Sequence, residues 1–169
     1  INDLDLKEIK SKLKIPLNLE IAATNEMLKI ALRHKPNFVC IVPEKRKEIT
    51  TEGGLNLNYN QTLLKKIITK LKKNNSRVSL FIEPTIQDIK ISNYLGVDAV
   101  EFHTGKICNL INLEKSFKSE LSKLNKAVNF ATDLNIEVHA GHGLTYKSTK
   151  IISKIKEIEE FNIGHFLIG

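Results

Sequence analysis

Short apolar runs rich in β-branched residues alternate along the chain with longer amphipathic stretches. Runs of this kind are typical of strands in a parallel sheet that is covered by helices. They lie at 17–21, 37–42, 77–82, 97–103, 136–140 and 162–168. The stretches between them carry apolar residues at helical spacing and predict helices at 4–13, 24–32, 60–73, 86–95, 114–134 and 147–158. Thr24 is a good N-cap for the second of these helices.

Strict alternation of strand and helix predicts a parallel sheet with helical crossovers, either an open doubly wound sheet or a closed barrel. The sequence has no Gly-x-Gly-x-x-Gly turn after a strand and no phosphate-binding loop with a Walker lysine, so a nucleotide-binding open sheet is disfavoured. Titratable residues instead collect at the carboxyl ends of several strands, namely Glu20, Glu101, His103, His139 and His142. A TIM barrel places its chemistry at these ends, so we predict an α/β fold of the (β/α)8 TIM-barrel type.

The number of strands predicts that this barrel is only partly present. The pattern contains six strands, whereas a complete barrel has eight strands and about 250 residues. No linker or low-complexity segment divides the chain. We therefore expect a single barrel domain over residues 1–169 that is incomplete at both ends.

The net charge of +7 raises the question of a nucleic-acid partner. The basic residues are almost all lysines on predicted helix faces, with Arg33, Arg46 and Arg77 as the only arginines, and the few aromatic residues lie mostly in apolar runs. We therefore expect no nucleic-acid partner, and at most a field that favours phosphorylated metabolites.

No apolar run reaches the roughly 20 residues of a membrane span, so no membrane partner is expected. Cys40 and Cys108 lack metal or redox spacing, which fits a reducing cytoplasm.

Seven segments of the chain resemble, in order and in spacing, the motifs of the pyridoxine 5′-phosphate synthase family. They are Asn-Leu-Glu-Ile-Ala-Ala-Thr at 18–24, Val-Pro-Glu-Lys-Arg at 42–46, Thr-Thr-Glu-Gly-Gly at 50–54, Val-Ser-Leu-Phe-Ile at 78–82, Glu-Phe-His-Thr-Gly at 101–105, Ala-Gly-His-Gly-Leu-Thr at 140–145 and Asn-Ile-Gly-His at 162–165. Each segment alone is only suggestive, but seven in sequence make a chance resemblance improbable.

The resemblance implies a cytoplasmic enzyme that condenses 1-deoxy-D-xylulose 5-phosphate with 3-amino-2-oxopropyl phosphate. Such an enzyme is a transferase-class, ring-closing synthase that releases phosphate and water. It uses no metal and no organic cofactor, and it assembles as a homo-octamer of TIM barrels. By the same resemblance the chain covers about strands 3 to 8, so the family's acid–base histidine on strand 2 lies outside it.

Three residues are candidates for proton transfer. Glu20 lies in an otherwise apolar strand, where burial would raise its pKa toward the range of a general base, unless it is a salt-bridged structural carboxylate. Glu101 could equally face solvent or a helix, and His142, between two glycines, could be a structural loop histidine. The resemblance implies that Glu20 is a general base, that Glu101 supports proton transfer, and that His142 is a proton donor.

Four further residues are candidates for substrate binding. The Thr50 hydroxyl could bind a sugar hydroxyl or simply cap a turn, and Gly164 could allow close packing of strands. Gly164 and His165 fall in the last predicted strand, where barrels commonly form a phosphate site. The resemblance implies that Thr50 contacts the deoxyxylulose phosphate, and that Gly143, Gly164 and His165 contact the aminoketone phosphate.

Two other classes of function remain as alternatives. A metal-dependent TIM-barrel hydrolase could use Glu101, His103, His139 and His142 as ligands, although the sequence has neither His-Glu-x-x-His nor a first-strand His-x-His. A non-catalytic phosphate- or RNA-binding module would show steep salt dependence and no turnover. Carboxylates at the strand ends argue against the module because they would repel a polyanion.

Overall fold

A single parallel sheet organises the chain. The structure is a computed structural model that describes residues 3–44, 48, 50 and 53–169. Six strands lie in this sheet in the order of the chain, and every neighbouring pair is parallel. The strands are β1 Asn18–Ala22, β2 Phe38–Val42, β3 Arg77–Ile82, β4 Ala99–His103, β5 Glu137–Gly141 and β6 Ile158–Asn162. Consecutive parallel strands with helical crossovers agree with part of a TIM barrel, which confirms the predicted fold class.

Helices connect the strands as predicted, but two helices were not predicted. They are α1 Asp3–Lys12, α2 Asn25–His34, α3 Gln61–Lys73, α4 Ile86–Leu95, α5 Gly105–Asn112, α6 Lys118–Asp133, α7 Tyr146–Ile152 and α8 His165–Ile168. The Thr24 hydroxyl accepts the Met27 N–H at 3.1 Å, which confirms the predicted N-cap. The sequence pattern missed α5, a short helix that starts directly after β4, and α8, which lies where the end of a strand was expected. In the described part of the chain, no helix combines the length and apolar character that crossing a membrane requires.

The two faces of the sheet differ in chemistry. Successive side chains of a strand point to opposite faces, so each strand divides its residues between the two. The face that packs against the helices is apolar and buried, and it carries Ile21, Ile41, Leu80, Phe102 and Val138. The opposite face is largely polar. It carries Glu20, Cys40 and Ser79, which are partners in register, and Glu101 and His139, which are partners of each other. The short apolar runs had suggested strands that are apolar on both faces, but only one face of the sheet is apolar.

Contacts across the polar face show that it is concave. Glu101 on β4 accepts hydrogen bonds from Cys40 on β2 and from Asn162 on β6. Each donor lies two strands away, and neighbouring strands are about 4.8 Å apart. Side chains can meet over that separation because they converge on the inner side of a curved sheet, as they do inside a barrel.

The last strand differs from its prediction. The run at 162–168 was predicted as a strand and 147–158 as a helix, but β6 spans Ile158–Asn162 and α7 ends at Ile152. The segment Ile-Glu-Glu-Phe-Asn has too many charges to look like a buried strand. Since β6 lies at the edge of the described sheet, Glu159 can point to solvent while Ile158 is buried. Gly164 and His165 therefore follow the strand, at the start of α8, and do not lie within it.

Candidate active site

A cavity of about 1170 Å³ opens at the carboxyl ends of the strands. Six of the seven predicted site residues contribute to its walls: Glu20, Glu101, His142, Gly143, Gly164 and His165. They come from β1, β4 and the segments that follow β5 and β6, so the fold brings together residues that are far apart in the sequence. The seventh, Thr50, connects to the cavity wall through Glu83 and His103.

Glu20 reaches the cavity from β1, but it is not buried. The sequence predicted a desolvated carboxylate, whereas the side chain is exposed. In this part of the barrel β1 is an edge strand whose inner side faces the open cavity, so the expected burial is not found here. Glu20 is accessible to a molecule in the cavity, and its negative charge acts on Glu101.

Glu101 is the carboxylate that the fold buries. Only 5% of its surface is exposed, and its Oε2 accepts from Asn162 Nδ2 at 2.9 Å and from Cys40 Sγ at 3.6 Å. Desolvation, followed by the negative charge of Glu20, raises the pKa of Glu101 to about 7. At neutral pH Glu101 is thus present in both protonation states and can either give or take a proton.

Glu101 is expected to make the protein less stable as the pH rises from about 4.5 to about 7. In this range the folded protein keeps a proton on Glu101 that the unfolded chain, with an ordinary carboxyl pKa of 4.5, has released. The free energy of unfolding therefore falls with pH, by on the order of 3 kcal/mol over the range. Urea unfolding of the wild-type protein and of Glu101→Gln across these pH values measures the effect. The variant should gain stability relative to wild type as the pH rises, and parallel curves would contradict the assignment.

His142 follows β5 in a left-handed conformation, with φ of 70°. The Thr104 hydroxyl donates to the carbonyls of Gly141 and His142, at 2.8 and 2.9 Å, and so holds this turn against β4. Although His142 is exposed as a residue, its ring packs against that of His103, with centroids 4.7 Å apart. Partial burial and the positive charge of His103 lower the pKa of His142, which makes its protonated form a readier donor.

The glycines at the site have different reasons for being there. Gly143 has φ of 75°, and a Cβ at this position would lie 3.2 Å from Gly105 Cα and 3.3 Å from Cys108 Cβ. Its backbone needs both the left-handed conformation and the lack of a side chain. At Gly164 a Cβ would meet nothing within 4 Å, so this glycine is not required for close packing of strands. Its backbone is exposed beside His165 on the cavity wall.

Thr50 is already engaged in a turn. Its hydroxyl donates to Glu83 Oε1 at 3.1 Å and accepts the Gly53 N–H at 3.0 Å. This geometry supports the turn-capping interpretation of Thr50, and it leaves one lone pair of the hydroxyl for a ligand. The geometry does not test the proposed contact with the deoxyxylulose phosphate.

Sequence reasoning missed several residues that shape the site. Asn162 was only part of a motif, and Cys40 was considered only for metal or redox spacing, yet both donate to Glu101. Gly141 was noted only as a flank of His142, but the Glu101 carboxylate occupies the space where its side chain would be. Glu83 follows β3 in the same way as the other strand-end acids, so the strand-end criterion could have found it. Asn162, Cys40 and Gly141 are identified by contacts across the sheet. Their positions in the sequence do not reveal these contacts.

Geometry offers no support for the metal-dependent alternative. Among the residues that the structure describes, no three His, Cys, Asp or Glu side chains are placed to share a metal ion. His139, one of the candidate ligands, instead pairs with Glu137 at 2.8 Å on the inner face of the sheet. Glu137 also pairs with Arg77 at 2.7 Å. The Glu137 carboxylate is thus engaged by both Arg77 and His139.

A solved structure shares this fold. The EAL domain of Xanthomonas citri FimX, solved in complex with c-diGMP, superposes with a TM-score of 0.63 and covers 92% of this chain and 61% of that chain. The two sequences are 9% identical, so the likeness concerns the fold alone.

Sequence comparisons identify the family. The family model described as pyridoxal phosphate biosynthesis protein PdxJ matches residues 1–169. The pyridoxine 5′-phosphate synthases of Pelagibacter ubique and Zymomonas mobilis subsp. mobilis are 56% and 50% identical over 169 residues, which is 100% of this chain. The chain spans 71% and 65% of the lengths of these two relatives. Because the family model matches from the first residue to the last, the chain belongs to the PdxJ family of pyridoxal phosphate biosynthesis proteins.

Proposed function

We propose that the chain provides most of the active site of a pyridoxine 5′-phosphate synthase. In this reaction 1-deoxy-D-xylulose 5-phosphate and 3-amino-2-oxopropyl phosphate condense to pyridoxine 5′-phosphate, with release of phosphate and water. One observation carries the proposal: Glu20, Glu101 and His142 face one cavity, and Glu101 has a pKa of about 7. The sequence identity of 56% and 50% to two synthases of that name supports the same reaction.

The reaction needs several proton transfers, and the three side chains differ in whether they accept or donate a proton. The amine of one substrate attacks the carbonyl of the other, water leaves to form an imine, and further dehydration and loss of phosphate precede ring closure. Glu20, exposed in the cavity, would act as a base, and His142 would donate a proton to a leaving oxygen. Glu101, which exchanges its proton near neutral pH, would serve in either direction.

Two phosphorylated substrates must fit the site together. The cavity that this part of the barrel forms has a volume of about 1170 Å³. We propose that Gly143, Gly164 and His165 bind the aminoketone phosphate on one side of the cavity, and that Thr50 contacts the deoxyxylulose phosphate.

By resemblance we further propose a single barrel domain, a cytoplasmic location, a homo-octamer, and a transferase-class reaction without metal or organic cofactor. Each of these can be measured independently of the mechanism. Light scattering of the purified protein gives the number of subunits, and cell fractionation gives the location. Activity after exhaustive chelation tests the independence from metal.

Protein expressed from the complete coding sequence is expected to form pyridoxine 5′-phosphate from the two substrates without added metal. The product is detected by chromatography and mass spectrometry, and phosphate release is followed in parallel. His142→Ala should lower the rate by roughly 10²- to 10⁴-fold, the usual contribution of a general acid. Absence of product from a folded wild-type protein would contradict the proposed reaction, and full activity in His142→Ala would contradict the proton-donor role.

A further inference from the structure

Glu83 lies directly after β3, and only 5% of its surface is exposed. Its Oε1 accepts the Gly54 N–H at 2.8 Å and the Thr50 hydroxyl at 3.1 Å, and it lies 3.4 Å from His103 Nδ1. These donors lower the pKa of the carboxyl against the opposing effect of desolvation, which is the largest single influence. A buried carboxylate with this many partners joins the loop around Thr50 to the strand that carries His103.

His103 is held in a slot that two glycines form. It lies at the end of β4 and is 8% exposed. A Cβ on Gly53 would lie 3.0 Å from its ring, and a Cβ on Gly105 would lie 2.9 Å from its Nε2. Phe81 meets the ring edge-on, with centroids 5.3 Å apart. The packing therefore fixes the ring in one orientation, with Nδ1 toward Glu83.

The remaining face of the His103 ring meets His142. The two rings lie 4.7 Å apart at 40°, and a Cβ on Gly105 would also come within 3.0 Å of His142 Cδ2. From this arrangement we propose that Glu83 and His103 form a positioning pair that orients His142 and adjusts its readiness to give up a proton. The proposal rests on the proposed role of His142 in proton transfer. It adds Glu83 and His103, to which the proposed function gives no part.

Electrostatics gives the pair its effect. The Glu83 carboxylate lies 3.4 Å from His103 Nδ1, and the charge of His103 lowers the pKa of His142. The two rings are 4.7 Å apart, close enough for one charge to act on the other. The other ionisable groups that face the same cavity are Glu20, Glu101, Lys106 and His165. Of the described groups, His103 is the one whose charge lowers the pKa of His142, and partial burial acts in the same direction.

His103→Asn is the direct test, because the Asn amide nitrogen replaces Nδ1 toward Glu83 while the titratable ring is lost. The His142 Hε1 resonance is followed by NMR against pH in protein from the complete coding sequence. We expect the pKa of His142 to rise, because the charge of His103 that lowers it is removed. In the activity assay, the alkaline limb of the kcat profile should move upward by the same amount, and kcat should fall more than KM changes. A folded variant in which the pKa of His142 stays at the wild-type value would overturn the proposal.

His139→Asn is a matched control. His139 is also buried, with 4% of its surface exposed, and it also pairs with a carboxylate, but this pair does not line the described cavity. This variant should leave the pKa of His142 unchanged. If His103→Asn does not fold, Glu83→Gln decides, since Gln keeps an acceptor oxygen for Gly54 and Thr50 and removes only the charge. The pKa of His142 should move from its wild-type value in this variant, and an unchanged value would overturn the proposal.

The titration separates this inference from the proposed function. If the wild-type protein makes no product but the pKa of His142 changes in His103→Asn, the proposed reaction is contradicted and the positioning pair is supported. If the wild-type protein makes product but the pKa of His142 does not change in His103→Asn, the proposed reaction is supported and the positioning pair is contradicted.

Discussion

Replacing Glu20 with glutamine is expected to lower turnover by roughly 10²- to 10⁴-fold, the range for loss of a general base, while the protein stays folded. Gln has nearly the same size as Glu but cannot accept a proton. The exposed position of Glu20 on β1 means that no buried contact is lost. The rate of pyridoxine 5′-phosphate formation and the urea midpoint measure the two parts of this expectation.

Glu159→Gln is a suitable control for this variant. It is also a strand glutamate with an exposed side chain, but it lies on β6 and does not line the described cavity. It should retain wild-type turnover. Glu20→Gln should also bring the pKa of Glu101 down from about 7, because the charge of Glu20 is one of its causes. Near-wild-type turnover in Glu20→Gln would contradict the base assignment, whatever happens to Glu101.

Gly141→Ala is expected to reduce turnover by a similar factor through Glu101, without a direct contact to substrate. A Cβ at this position would overlap Glu101 Oε1 and lie 2.8 Å from its Cδ. The carboxylate would have to leave its hydrogen bonds with Cys40 and Asn162 and rotate away. Since the φ of Gly141 is not in the left-handed region, the backbone itself accepts alanine. Activity and the pH dependence of stability are the measurements.

A double-mutant cycle shows whether Gly141 acts through Glu101. Glu101→Ala removes the carboxylate, so adding Gly141→Ala to it should cause little further loss of activity. The pH-dependent part of the unfolding free energy that Glu101 contributes should also change in Gly141→Ala, because the carboxylate would move toward solvent. Additive losses in the cycle would show that the alanine disturbs the site by another route.

Much of the fold follows from local patterns in the sequence. The period of apolar residues distinguishes strands from helices, and strict alternation of the two requires parallel strands whose carboxyl ends meet at one edge. These rules were enough to place β1 to β5 and to bring Glu101, His103 and His142 to one end of the sheet. They were not enough for β6, because an edge strand with two consecutive glutamates lacks the apolar run by which the other strands are recognised.

The tertiary structure decided which of these acids has a shifted pKa. The sequence placed Glu20 and Glu101 in similar apolar runs and predicted burial for Glu20. The fold instead buries Glu101 under Asn162 and Cys40, each 61 residues away, and leaves Glu20 open to the cavity. Burial depends on what lies across the sheet, which a period along the chain does not contain. The sequence by itself thus determined that the titratable residues collect at one end of the sheet, and the packing of distant strands decided which of them is buried and has a shifted pKa.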